Sequence, residues 1–237
     1  MNEFDVFIFC GGKCGGTTLA NTLHNNNFKT THLHDTKVKG MFQSTIDLNN
    51  DTLYNIIEHN SKEKKIYLID SYRTPIERQI SSFFENINIF VTNYKNISIE
   101  ELIIIFNKNY IYNIENYHPI NKILNYYNVP LFNTFNFDKK YNLIEKDNKI
   151  FIKILFRHID NWEYILSDIF GRKIIMYPDN LTINKDINKI YEEFKTRYKV
   201  PKKIIEYLQN DNEFKIYNTL EEQEEYILYW LNKCLDN

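Results

Sequence analysis

The chain has little of what marks several common classes of protein. Its 3 cysteines, Cys10, Cys14 and Cys234, are too few for a disulfide framework. Cys10 and Cys14 could form half of a metal site, but no Cys/His pair follows at ligand spacing, so no metal is expected. Charge of either sign is not in excess: the net charge is -2, which gives no general attraction to nucleic acid and requires any anion binding to be local. The runs Lys62-Glu63-Lys64-Lys65 and Lys202-Lys203 read as solvated faces. No stretch is long and uncharged enough to span a bilayer. The opening Asn2-Glu3-Phe4-Asp5 leads directly into an apolar run, without the pattern of a secretory leader, so a cytoplasmic location is expected. With 5 prolines and 6 glycines, no Gly/Ser/Pro-rich linker divides the 237 residues, and a single domain over 1–237 is expected. Aromatic residues are plentiful: 18 Tyr and 17 Phe supply the core and the helix faces.

Four of the 6 glycines fall within residues 11–16, in the run Phe7-Ile8-Phe9-Cys10-Gly11-Gly12-Lys13-Cys14-Gly15-Gly16-Thr17-Thr18-Leu19. A hydrophobic strand here turns through glycines and a lysine into two hydroxyls. Glycines let successive N–H groups converge, and the helix that follows adds unpaired donors and partial positive charge, so the segment suits a phosphate. In a nucleoside-triphosphatase P-loop the lysine follows the last glycine, whereas Lys13 precedes Gly15 and Gly16. The order instead resembles the 5′-phosphosulfate-binding loop of sulfotransferases, K-x-G-[ST]-[ST]-T. Gly12 stands where that loop usually has proline, and Gly16 where it has threonine or serine. Read without the resemblance, a glycine-rich turn after a strand is also compatible with a structural role.

A second strand-to-helix junction reads Ile66-Tyr67-Leu68-Ile69-Asp70-Ser71-Tyr72-Arg73-Thr74-Pro75-Ile76-Glu77-Arg78-Gln79-Ile80-Ser81. Pro75 suits a first helical turn, which leaves Arg73 in the loop and Ser81 about two turns along the helix. Arg73, Pro75, Arg78 and Ser81 fit the sulfotransferase pattern R-[DN]-P-x-x-R-x-x-S. The resemblance implies that Arg73 and Ser81 hold the 3′-phosphate of 3′-phosphoadenosine 5′-phosphosulfate (PAPS). An amphipathic helix with incidental basic residues is the plainer alternative, in which Glu77 pairs with a basic neighbour.

Beyond these motifs, Ile152-Lys153-Ile154-Leu155-Phe156-Arg157-His158-Ile159-Asp160-Asn161-Trp162 and the tail from Phe214 to Trp230 are similar to a sulfotransferase-like family of capsular polysaccharide synthesis. The resemblance implies transfer of a sulfuryl group from PAPS to a hydroxyl of a small-molecule or saccharide acceptor. The implied PAPS-binding set is Gly12, Lys13, Cys14, Gly15, Gly16, Thr17, Thr18, Arg73 and Ser81, with Lys13 neutralising the leaving phosphate. In Lys29-Thr30-Thr31-His32-Leu33-His34, similar to the K-T-H-L-P of cytosolic sulfotransferases, His32 or His34 is the implied base. Strand alternation places the two on one face, and packing at a strand end is their alternative role. His118 is a further candidate. The usual adenine-stacking tryptophan after the loop and a C-terminal R-K-G are absent. Two other functions remain open: an ATP-dependent nucleotide or sugar kinase, with Asp70 as a magnesium ligand, and a noncatalytic protein that keeps an anion site.

The pattern along the chain predicts an α/β fold of three layers, a parallel sheet flanked by helices with a helical C-terminal part; the resemblance implies the P-loop-like sulfotransferase fold. Strands are expected at Asp5–Cys10, Phe28–Leu33, Ile66–Ile69, Pro130–Phe135 and Ile150–Phe156, with a further one at Lys173–Met176. Helices are expected from Gly16, over Asp51–His59 capped by Asp51, and from Pro75, Ser98, His118 and Asn161.

Overall fold

A computed structural model describes residues 3–33, 50–114, 119–178 and 187–234. In chain order the elements are β1 (Val6–Ile8), α1 (Gly16–Asn25), β2 (Thr30–His32), α2 (Asn50–Ser61), β3 (Ile66–Tyr72), α3 (Pro75–Glu85), α4 (Ile87–Phe90), α5 (Ile99–Asn109), α6 (Pro119–Tyr126), β4 (Tyr141–Lys146), β5 (Lys149–Leu155), α7 (Trp162–Phe170), α8 (Asn188–Arg197), α9 (Lys202–Asn210), α10 (Asn212–Ile216) and α11 (Leu220–Leu231). They form two compact units, one from residues 1–73 and 117–180 and the other from 74–116 and 181–237.

The first unit holds a five-stranded sheet in the order β2-β1-β3-β5-β4. Its strands are parallel except β4, which pairs antiparallel with β5. Successive side chains of a strand point to opposite faces, and the sequence fills both. Val6, Ile8, Ile69, Ile152 and Ile154 pack with Leu19 and Leu23 of α1 and with Ile165 and Leu166 of α7. Phe7, Leu68 and Phe151 pack with Ile56 and Ile57 of α2 and with Ile123 and Leu124 of α6. The result is three layers, as the continuous apolar runs of β1, β3 and β5 require of strands covered on both sides. Lys153 and Asp70 form a buried charged pair within this sheet, joined at 2.5 Å with both side chains 1 % exposed.

Two expected strands are loops. Over Pro130–Phe135, proline lacks a ladder donor, and one side chain bonds the backbone at the segment's end: Asn142 Nδ2 donates to the Thr134 carbonyl, and its Oδ1 accepts the N–H of the following Asn136 at 2.8 Å. Along Lys173–Met176 the N–H groups of Ile174, Ile175 and Met176 donate to Ser167 Oγ, Asn26 Oδ1 and Glu163 Oε2, so side chains take the place of a neighbouring strand. The additional strand β4 joins β5 through Asp147 and Asn148, both left-handed at φ 48 and 60. That is the backbone of a two-residue hairpin turn of the primed kind. The helix expected to start after Asp51 begins at Asn50 and contains it.

The second unit is helical, built from α3–α5 and α8–α11. Its core is aromatic: the Phe83 ring, fully buried, lies 5.3–6.3 Å from those of Phe84, Phe90, Phe106, Tyr110 and Phe194. Ser98 starts α5 and Thr219 starts α11, each in a reciprocal capping box with the glutamate three residues on, Glu101 and Glu222.

Candidate functional site

From β1 the chain passes to β2 on one side, and from β3 the sheet continues to β5 on the other. Loops leaving the carboxyl ends of β1 and β3 therefore part, and the crevice between them is where open α/β sheets hold ligands. The loop after β1 is the glycine-rich segment, and the loop after β3 carries Arg73.

The Cys14 N–H donates to the Gly11 carbonyl at 3.3 Å, closing a turn in which Lys13 is the third residue. Lys13 has φ 66. A positive φ at that place is the mark of a type II turn and normally selects glycine. A lysine held there costs about 1–2 kcal/mol, the kind of local strain that accumulates at functional sites. Lys140 is another lysine with positive φ, at 62, so the conformation alone does not single out Lys13. Its position in the crevice does.

Gly15 caps α1 with φ 81, and the Leu19 N–H donates to its carbonyl at 3.0 Å. A Cβ on Gly15 would lie 2.6 Å from Trp162 Cη2 and 3.0 Å from Phe156 Cδ2. Glycine is thus required twice, by the backbone and by the two aromatic side chains packed on it. Trp162 is itself fixed, fully buried with Nε1 donating to the Leu155 carbonyl at 3.0 Å. Sequence reasoning had placed these aromatics only in a loose family likeness. Their place just beyond a buried strand was the available signal.

Helix α1 has no side-chain cap among the described residues and no acidic residue in its first turn, so no negative side chain of that turn offsets the partial positive charge of its start. Lys13, Gly15 and Thr17 are half-buried and Gly12 is exposed, whereas Cys14, Gly16 and Thr18 are buried. Burial pushes the Cys10 thiol well above its usual range, with the Asp70 charge adding to the effect, so Cys10 is unreactive packing. Among the described residues no group of three or more His, Cys, Asp or Glu could hold a metal ion.

Arg73 joins the two loops. Its Nη1 donates to the Lys13 carbonyl at 2.9 Å, and its guanidinium lies over the Phe156 ring at 4.5 Å from the centroid. Arg73 as a whole is half-buried, and no carboxylate pairs with it among the described residues. Its fork therefore has donors for a phosphate oxygen beyond the one that braces the loop.

The remaining sequence candidates divide. Arg78 and Ser81 lie on α3 in the second unit, 8 % and 7 % exposed. There Arg78 Nη2 makes a long bond of 3.5 Å to the Ile114 carbonyl. Glu77 accepts the Tyr226 hydroxyl at 2.6 Å instead of pairing with a basic neighbour. His32 ends β2, and both its ring nitrogens are buried. His34 and His118 lie outside the described residues. Asp70 faces Lys153 inside the sheet, which neutralises the carboxylate that a kinase would turn to magnesium.

The fold and site define an α/β protein with a parallel-sheet crevice and a cationic glycine loop. Comparisons with family models, with curated proteins and with solved structures match nothing. No helix among the described residues is long and apolar enough to cross a membrane.

Proposed function

We propose that the chain is a PAPS-dependent sulfotransferase of P-loop-like fold that acts on an acceptor hydroxyl, with a carbohydrate as the favoured class. The observation that carries this reading is the bond from Arg73 to the Lys13 carbonyl. It puts the cation-bearing loops after β1 and β3 side by side at the uncapped start of α1, in the residue order that resembles a phosphosulfate loop. In the reaction, the bond from sulfur to the phosphate oxygen breaks and one to the acceptor oxygen forms. The acceptor's proton passes to a base, for which the sequence offers His32 and His34; the burial of both His32 ring nitrogens favours His34. Charge develops on the leaving phosphate, where Lys13 and the N–H groups of Gly15, Gly16 and Thr17 supply preorganised donors. Arg73 serves the second phosphate of the donor. Ser81 is assigned to that phosphate by the sequence resemblance alone. No metal is needed, and the Asp70–Lys153 ion pair favours this reading over magnesium-dependent kinase chemistry.

The test is thermal unfolding with 3′-phosphoadenosine 5′-phosphate, against ADP with magnesium. At one hundredfold excess over Kd, binding stabilises by about 2.7 kcal/mol and raises the midpoint by about 5–10 °C. A shift with ADP and magnesium alone would replace the reading with the kinase. No shift with either would reduce the loop to a structural turn.

A further inference from the structure

We infer that His32 takes the place of the side chain that position 16 lacks and positions the anion loop, rather than serving as the base. This inference rests on the reading of the loop given above. In the loop that this sequence resembles, position 16 carries a threonine or serine, and simple truncation to glycine would leave a hole beneath the first turn of α1. The hole is filled from the neighbouring strand. A Cβ built on Gly16 would stand 2.6 Å from His32 Cε1, closer still to Nε2, and 3.1 Å from Cys10 Cβ. Real Cβ atoms do not approach so closely, so Gly16 and His32 are a complementary pair: the ring occupies the space that any side chain at 16 would need.

The strand register makes the fit possible. His32 pairs with Ile8, directly across from the strand that leads into the loop. It shares the sheet face on which Ile8 packs with Leu19 and Leu23 of α1. An imidazole here is a rigid wedge between β2 and the start of α1. Gly16 is buried, and so are both ring nitrogens, while His32 as a whole is half-buried. A general base must reach the proton that it removes, and a ring with both nitrogens covered meets that condition poorly. As a wedge it fixes the height of the N–H groups of Gly16 and Thr17 above the sheet.

The test compares His32→Ala, Gly16→Ser and the double variant His32→Ala/Gly16→Ser in the full chain. Two readouts are used: amide hydrogen exchange over residues 11–18, and the Kd for 3′-phosphoadenosine 5′-phosphate measured well below the unfolding midpoint. His32→Ala is expected to speed exchange in the loop about tenfold or more while leaving the β5 amides unchanged, and to weaken binding about tenfold. Gly16→Ser forces a clash and is expected to lower the midpoint by about 2–8 °C. The double variant should regain most of both losses, because the serine fills the vacated space. If His32→Ala is insoluble, His32→Gln takes its place. Additive losses in the double variant would overturn the inference, as would a His32→Ala protein that melts lower but binds with unchanged Kd. Failure of the wild-type chain to bind the nucleotide would instead sink the sulfotransferase reading, with loop exchange and the midpoints still deciding the role of His32.

Discussion

Replacing Lys13 by glycine should make the protein more stable and its anion site weaker in one step. The lysine sits at φ 66, where an L side chain costs about 1–2 kcal/mol. Glycine removes that cost but adds freedom to the unfolded chain worth about 0.4–1 kcal/mol. The net gain is about 0.5–1 kcal/mol, or about 1–4 °C in the midpoint for a chain of this size. Lys13→Ala removes the same charge and keeps the strained backbone, so glycine should exceed alanine by that margin. Both variants lose the ammonium from the crevice. A hydrogen bond to a charged group contributes about 1.5–3 kcal/mol, so the Kd for 3′-phosphoadenosine 5′-phosphate should rise about 10–150-fold in each. Scanning calorimetry and titration calorimetry on the three proteins decide both points. A glycine variant no more stable than the alanine variant would refute the strain, and unchanged affinity in either would refute the role of the lysine.

Two further predictions concern the scaffold. Lys153→Met should destabilise by about 3–5 kcal/mol in urea unfolding, because it strands the buried Asp70 carboxylate, whereas Asp70→Leu/Lys153→Met should recover most of that loss; a small effect from the single variant would mean that water reaches the pair. Stability should fall as pH rises from about 10 towards 12. Burial, then the hydrogen bond that Tyr141 gives to Asp168 at 2.8 Å, pushes the Tyr141 phenol up to about 12, and burial followed by the charge of Tyr112 raises Tyr198 further. The folded chain therefore keeps protons that the unfolded chain releases above the usual tyrosine range, which favours unfolding there. Phenolate absorbance followed together with far-ultraviolet circular dichroism should show a late group of tyrosines that titrates only as helix is lost, and a single early transition for all of them would contradict this.

The legible parts of the fold are those whose signal is local. Pro75 at the first turn of α3, Ser98 with Glu101 at the start of α5, and the strand-to-glycine junction before α1 depend on neighbours in sequence, and each stands where the sequence puts it. What sequence reading missed depends on which particular side chains, near or far in sequence, bond the backbone. The loop at Pro130–Phe135 has the β-branched and aromatic residues of a strand, but its backbone is bonded by Asn142, and at Lys173–Met176 the partners are Asn26, Glu163 and Ser167. The β4–β5 hairpin did carry a local mark, Asp147-Asn148, two residue types that tolerate positive φ, just before an apolar-rich run, which turn chemistry could have found.

The candidate site follows the same division, and this bears on what its glycines mean. Glycine's permissive backbone would by itself make the loop pliant. The contacts give a different physical picture, in which Gly15 is held against Trp162 and Phe156, Gly16 against His32, and the Lys13 carbonyl by Arg73. The glycines are small so that rigid groups can press on the loop from both sides, and a loop pressed in this way can hold a lysine in a conformation that it would otherwise leave. Preorganised donors stabilise developing charge because they do not have to reorient when it appears. The strain at Lys13 and the crowding at Gly15 and Gly16 are therefore two sides of one arrangement, and loosening the crowding should release the lysine even though none of the crowding side chains need touch the anion.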